Sequence, residues 1–416
     1  MQAVILAAGA STRFCPLADD VPKCMIPLLG KPILEWTVSS LAKMGIGDII
    51  LVTPPAGVNI TTPPGCEPKV VVQGKPLGMA NALLCAKKFI KEDFFLLHGH
   101  HLDIDEFVLS MVKKRQEAEG VLLGEEREKP WEYGVVKLDG DRITNLIEKP
   151  QKGKEPGKIC VVGIYLLTSE FLPFLEKVKL SHYQFEEALD KWVKVKDIRV
   201  VKAQKQPVSL KYPWDLLSFK NYLLEKNPHR ISRGAKIGKG VILVGKMIIE
   251  EGATIFENAV IKGPVYIGKN VLVGNNALVR DGSVLEENCR IGAFAEVKNS
   301  IFLPHSSLGS GFVASSIIGE NCRLAHGFVS ANRRFDRETV RVKIKREEVD
   351  TGLDDLGVIM GEGVQAGIGV GTMPGITIGK GATIGPGTFV FEDVPPGVNY
   401  STEFKSKPKV SRRLHL

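Results

Sequence analysis

From position 249 the chain repeats an aliphatic residue at every sixth place: Ile249, Ile255, Ile261, Ile267, Val273, Val279, Leu285, Ile291 and Val297. Small or β-branched residues such as Ala253, Ala259 and Val265 lie four places after most of them, and glycine often follows directly, as in Ile267-Gly268. A hexapeptide period predicts a left-handed parallel β-helix, in which each hexad forms one side of a triangular coil and the aliphatic residue points inward. The phase slips between Leu303 and Ile318, then resumes at Val358, Val364, Val370, Ile378, Ile384 and Val390. The charge-rich stretch 332–357 has no place in such a coil and is expected to project from it as a loop.

Upstream the pattern is different. Short apolar runs at 3–6, 48–52, 69–72, 94–97, 120–123 and 160–166 read as strands, and 33–44 and 80–90 as amphipathic helices between them. Strands alternating with helices predict an α/β domain on a mixed, mostly parallel, Rossmann-like sheet. The expected organisation is therefore an α/β domain at 1–226, a linker at 227–231, a β-helix at 232–395 with its loop at 332–357, and a basic tail at 396–416.

At 416 residues the chain is long enough for two or three cores. No apolar run approaches the length of a membrane span, and no charged region precedes an apolar stretch at the N-terminus, so a cytoplasmic protein is expected. The seven cysteines are scattered and form no CxxC pair, which reads as reduced thiols. The formal net charge is +8, but the basic residues are dispersed apart from the tail around Lys405, Lys407, Lys409, Arg412 and Arg413. Anionic small substrates account for that excess more simply than nucleic acid does.

The chemistry opens at once. A strand runs into Leu6-Ala7-Ala8-Gly9-Ala10-Ser11-Thr12-Arg13, and Pro22-Lys23 follows ten residues on. Small residues let backbone N–H groups close on phosphate oxygens, and fixed cations neutralise a polyphosphate. The spacing is neither that of a Walker loop nor that of the dinucleotide fingerprint. It resembles the signature of the sugar-1-phosphate nucleotidyltransferases, the NDP-sugar pyrophosphorylases. Further matches are Gln73-Gly74 with Gly78, Tyr133-Gly134-Val135-Val136, Ile147-Glu148-Lys149-Pro150 and Val162-Gly163-Ile164-Tyr165.

The resemblance implies the following roles. Leu6, Ala7, Ala8 and Gly9 wrap the nucleotide phosphates, Arg13 and Lys23 act on the triphosphate, and Gln73 with Gly78 reads a pyrimidine base. Gly134 and Glu148 seat the sugar, and Lys149 meets its phosphate. Val161 stands where relatives carry an asparagine, so one sugar contact is lost. The family's Mg²⁺ is held by two aspartates, and both are replaced: His100 occupies the first position and Ser209 the second. Imidazole and hydroxyl are poor Mg²⁺ ligands. His98, His100 and His101 with Asp103 point instead to a softer ion such as Mn²⁺, Co²⁺ or Zn²⁺, with His100 as the candidate ligand; ordinary histidines at a loop mouth are the plainer interpretation.

The two-domain order resembles the archaeal form of the bifunctional N-acetylglucosamine-1-phosphate uridyltransferase/glucosamine-1-phosphate acetyltransferase group. That resemblance implies an acyl-acceptor site at Arg280 and Lys298, with a histidine base. Pro304-His305-Ser306-Ser307 looks like the base segment, but His305 falls several residues early, which moves it to another face of the coil; His326 is a second candidate. Acetyl transfer is thus not the expected activity, and the β-helix is expected to serve assembly, as a homotrimer. The expected function is condensation of a nucleoside triphosphate, UTP or dTTP favoured, with a hexose- or N-acetylhexosamine-1-phosphate, giving NDP-sugar and pyrophosphate at an altered metal site. The alternative is a catalytically silent nucleotide- or sugar-nucleotide-binding subunit that regulates a catalytic paralogue.

Overall fold

A computed structural model describes residues 1–404 apart from 19, 20, 182 and 346, so the cations expected in the tail from 405 onward lie outside the described residues. The chain divides into two compact units, one of residues 1–14 with 18–222, the other of 15–17 with 223–416. Among the described residues no helix is long and apolar enough to cross a membrane.

The first unit is built on a nine-stranded sheet. Gln2–Leu6 is an interior strand, third from one edge, parallel to Asp48–Thr53 on one side and to Phe94–His98 on the other. These strands are continuous apolar runs because helices cover both faces of the sheet, so neither face alternates with solvent. Ile159–Leu167 runs antiparallel to both Phe94–His98 and Gly120–Glu126, which makes the sheet mixed. Two features had no clear period in the sequence. Gly134–Asp139 and Arg142–Glu148 form an antiparallel hairpin at the sheet edge, and Ile198–Lys202 pairs in parallel with Gly120–Glu126. Three strands, Gln2–Leu6, Phe94–His98 and Arg142–Glu148, deliver their C-terminal ends to one cleft.

The second unit is the coil that the hexads predict. Three parallel sheets of eight, nine and eight strands form its sides. Each inward aliphatic stacks on its counterpart one turn on: Ile249 on Ile267, Ile255 on Val273, Ile261 on Val279. All six are fully buried. The coil reaches Asn399–Tyr400, which pairs with Thr383–Ile384 and so continues past position 395.

The phase slip has a physical cause. Leu285 pairs with Phe302 and Phe302 with Ile318, so two successive turns are shorter than the Ile249-to-Ile267 turn. Two-residue corners at Asn299-Ser300 and Ser315-Ser316, together with a shortened corner at 309–311, accomplish this, with Asn299 and Ser315 both at φ 47°. Tight corners bring backbone polar groups inside, and buried serines satisfy them. The Ser300 hydroxyl donates to Lys298 O and accepts the Ser316 N–H, while Ser330 Oγ accepts the Ala314 N–H. The stretch 332–357 leaves the coil as expected, and it carries structure of its own: Arg341–Ile344 pairs antiparallel with Glu347–Asp350. Val340, Val342 and Leu356 are buried beneath it, whereas Phe335 is fully exposed.

Candidate functional site

The cleft of the first unit has a volume of about 630 Å³ and gathers nearly every residue singled out in this half of the sequence. At one end, the Ala7 N–H donates to Val52 O and the Gly99 N–H to Leu6 O, which fixes the mouth of the loop after Gln2–Leu6. Ser11, at φ 51°, turns that loop, and its hydroxyl accepts the Lys23 N–H at 2.9 Å. Leu6, Ala7, Ala8 and Gly9 therefore line the cleft together with Arg13 and Lys23. The Lys23 ammonium donates to the carbonyl of Leu210. Burial, and then the Arg13 charge, lower its pKa to about 8.

Gln73 is 4% exposed, and its amide nitrogen donates to Gly78 O at 3.2 Å and Asn81 Oδ1 at 2.9 Å. The amide is thus held in one orientation with its oxygen as the remaining acceptor. Gly78, at φ 95°, begins the helix Met79–Ala86 in a conformation that strongly favours glycine.

At the other end stand the sugar-side residues. Gly134 and Glu148 pair across the hairpin, and a Cβ at position 134 would meet Glu148 Oε2 at 2.7 Å. A side chain there would displace the Glu148 carboxylate, which lies over the backbone. Lys149 takes φ 44°, and its N–H donates to Tyr133 O at 3.0 Å, so its exposed side chain leaves the strand at the cleft rim.

Further side chains, to which the sequence assigned no role, also shape this end. Tyr133 lies between two cations, with the Arg127 guanidinium 4.2 Å and the Lys211 ammonium 4.8 Å from its ring centroid. Lys211 also pairs with Glu132 at 3.2 Å. Glu186 projects from the helix Gln184–Val193, and its Oε2 is buried without a hydrogen-bond partner. Burial, and next the nearby Glu148 charge, raise the Glu186 pKa to about 7. No sequence signal marks Glu186, which reads as the polar side of an amphipathic helix.

The floor of the cleft does not match a Mg²⁺ site. His98, His100 and Ser209 line it, and the three imidazoles pack on one another. Ring centroids are 5.4 Å apart for His98 and His100 and 4.7 Å for His100 and His101, with interplanar angles of 13° and 29°. Stacked rings of this kind do not aim their in-plane nitrogens at a common point. Among the described residues, no three His, Cys, Asp or Glu side chains are arranged to hold a metal ion. His100 therefore belongs to no three-residue ligand set within the described chain. Asp103 is no replacement: it is buried, its Oδ2 accepts the Val208 N–H at 2.8 Å, and it does not line the cleft.

Asp103 instead positions the segment that carries Ser209 and Leu210. Burial raises its pKa from 3.8 to about 7. An acid whose pKa is higher folded than unfolded binds more protons in the folded state, so stability is lost as pH rises between those two values. Asp103→Asn keeps an acceptor for Val208 and removes the titration. The variant is expected to melt several degrees above the native chain at pH 8 and close to it at pH 4. Equal melting temperatures at pH 8 would mean that Asp103 carries no strained charge.

In the second unit, Arg280 and Lys298 are neighbours in register on one sheet, and Arg280 is held by Glu296 at 2.7 Å and by Asp281. His305 does not join them within one chain. At φ 63° it occupies the left-handed corner position that Asn288 and Asn321 hold on the adjacent turns, and its N–H donates to Glu287 O at 3.0 Å just as theirs donate one turn back. An acyl-acceptor site made of Arg280, Lys298 and His305 is therefore not assembled in the single chain, because His305 belongs to a different corner of the triangle. His326 lies exposed at a third place, with Nδ1 3.2 Å from Ser310 Oγ.

Comparison with known proteins agrees with this architecture. Residues 2–206 match the nucleotidyl transferase family, and residues 261–366 match the GMPPB C-terminal domain. The chain is 39% identical over 386 residues to the bifunctional protein GlmU of Methanococcus maripaludis strain C7, covering 90% of this chain and 91% of that protein. It is 34% identical over 386 residues to the bifunctional protein GlmU of Methanocaldococcus jannaschii, with the same shares covered. A bifunctional sugar-1-phosphate nucleotidylyltransferase/acetyltransferase of Sulfurisphaera tokodaii is 30% identical over 399 residues, covering 95% of this chain and 98% of that one.

Proposed function

Because the chain belongs to the nucleotidyl transferase family, in the GlmU-like group whose members carry two domains, we propose that it is a sugar-1-phosphate nucleotidyltransferase. A phosphate oxygen of the sugar-1-phosphate attacks the α-phosphorus of a nucleoside triphosphate; the bond to the β-phosphate bridging oxygen breaks, and pyrophosphate leaves. The observation that carries this reading is one cleft lined at one end by the Leu6–Gly9 loop with Arg13 and Lys23, and at the other by Gly134, Glu148 and Lys149.

Each group has a distinct task. Backbone N–H groups of the Ala7–Gly9 turn donate to phosphate oxygens, and Arg13 with Lys23 stabilises the charge that builds on the leaving pyrophosphate. Gln73 offers an oxygen acceptor, which suits the N3–H of uracil or thymine and favours UTP or dTTP. Glu148 accepts from sugar hydroxyls, Gly134 leaves room for the ring, and Lys149 holds the acceptor phosphate. Glu186, protonated over part of the neutral range, adds a second carboxyl towards the sugar. The family commonly uses Mg²⁺, but the residues on the cleft floor do not fit it, and no step is assigned to it. The β-helix is assigned to self-association, with a homotrimer as the proposed assembly.

The test is pyrophosphate release from UTP, dTTP, ATP and GTP, each crossed with glucose-1-phosphate and N-acetylglucosamine-1-phosphate. Turnover is expected with UTP or dTTP. Glu148→Gln is expected to raise KM for the sugar phosphate by about tenfold or more, because the site is built to pair with hydroxyls, with little change in affinity for the triphosphate. Silence in every combination, with triphosphate still bound, would replace the enzyme by a nucleotide-sensing subunit.

A further inference from the structure

We infer that this cleft binds its nucleoside triphosphate free of a divalent cation, with fixed protein cations and imidazole donors in the place where relatives' carboxylates hold a metal. The inference rests on the nucleotide reading above and deepens it.

Four observations carry it. First, the floor beside the phosphate loop is made of His98, His100 and Ser209, with no carboxylate among them. The carboxylates that do line the cleft, Glu132, Glu148 and Glu186, belong to its sugar end. Mg²⁺ is bound by oxygen anions, so this floor offers it little. Second, the imidazoles stack, with His100 only 4.7 Å from His101 between ring centroids, in place of converging on a point.

Third, His101 is 2% exposed and both its ring nitrogens lack a hydrogen-bond partner, an arrangement that costs free energy unless a ligand or neighbour compensates it. It packs beside His98, with ring centroids 6.0 Å apart, directly behind the groups that face the cleft. Fourth, the local field is positive. The Lys23 charge acts on all three histidines, and on Lys23 itself the Arg13 charge outweighs the opposing Asp215 carboxylate. A divalent cation entering there meets repulsion, whereas a phosphate chain meets attraction. Imidazole N–H groups donate to phosphate oxygens in the neutral and the charged form alike, so the arrangement does not depend on one protonation state. With Arg13, Lys23 and the backbone turn, they supply the neutralisation that a metal gives elsewhere.

The experiment is titration calorimetry of the full chain with the α,β-methylene analogue of UTP, which cannot be turned over. One arm contains EDTA and the others Mg²⁺, Mn²⁺, Co²⁺ or Zn²⁺. The expected result is a Kd in EDTA equal to or tighter than that with any cation, because no coordination bond is lost on chelation. Binding that weakens about tenfold or more in EDTA, and returns with one of the four ions, would overturn the inference while leaving the nucleotide site intact. Absence of binding in every arm would overturn both the inference and the nucleotide reading.

A second construction of the same test uses His100→Asp combined with Ser209→Asp, which restores two carboxylates to the floor. Its triphosphate affinity is expected to become Mg²⁺-dependent by about tenfold or more, with the melting temperature reporting whether it folds. A folded double variant as indifferent to Mg²⁺ as the native chain would show that these two positions do not set the cation demand, and would overturn the argument.

Discussion

Lys23→Ala is expected to lower turnover about a thousandfold, the scale on which a preorganised charge acts on a phosphoryl-transfer transition state. Lys23 sits where the loop after Gln2–Leu6 meets the Leu210 carbonyl, and it lines the cleft beside Arg13. Its side chain is half-buried without a salt-bridging carboxylate among the described contacts, and burial lowers its pKa to about 8. Removing it therefore relieves a desolvation cost, and the melting temperature should stay level or rise. The same shift predicts a pH profile. Below about 8 the free protein carries the charge that the triphosphate needs; above it the ammonium deprotonates, and kcat/KM should fall towards tenfold per pH unit. The limb in kcat should lie higher, because bound phosphate favours the charged form. A kcat/KM profile that stays flat to about pH 10, the ordinary lysine range, or a Lys23→Ala variant with native turnover, would remove Lys23 from the mechanism.

Phe302→Ala is expected to cost about 3–5 kcal/mol, the range for deleting a large side chain from a closed core. Phe302 is fully buried and stacks between Leu285 and Ile318 inside the coil, at the first of the shortened turns. A solenoid distributes such a loss locally, since each turn contacts chiefly its neighbours. The expected signature is early loss of β-helix ellipticity and proteolytic cleavage near residue 302. A melting curve superimposable on that of the native chain would mean that the interior is not packed as described.

How much of this was legible in the sequence follows from how local each signal is. The coil was legible wherever the hexads keep phase, because one inward residue per hexad is a short-range rule repeated many times, whereas the shortened turns and the last strand at Asn399–Tyr400 broke that rule. The central strands were legible because a sheet covered on both faces leaves unbroken apolar runs, as in Val4-Ile5-Leu6 and Phe95-Leu96-Leu97. The hairpin Arg341–Ile344 with Glu347–Asp350 was hidden because its strands are mostly charged, and only Val342 and Ile344 point inward.

In the cleft, the residues carried by short motifs lie together. Those that act through long-range placement did not announce themselves. The Tyr133 ring beside Arg127 and Lys211 joins two segments far apart in the chain, and Glu186 enters from a helix with no motif at all. His98, His100 and His101 showed the reverse problem. Their spacing was suggestive of ligands, but ring orientation decides coordination, and orientation is set by tertiary packing.

A coil of near-identical turns carries an ambiguity that its regularity creates. Any turn can stack on the one two places away almost as well as on its own neighbour, because every hexad offers the same aliphatic plug. The short corners at Asn299-Ser300 and Ser315-Ser316, with the serine hydroxyls of Ser300, Ser316 and Ser330 bonded to one another's turns, break that translational degeneracy. A mis-stacked turn would leave those hydroxyls and the carbonyls they serve buried without partners, a penalty that aliphatic contacts cannot offset. The irregular stretch thereby works as an index mark: it gives the repeat one correct alignment and separates it energetically from all the others.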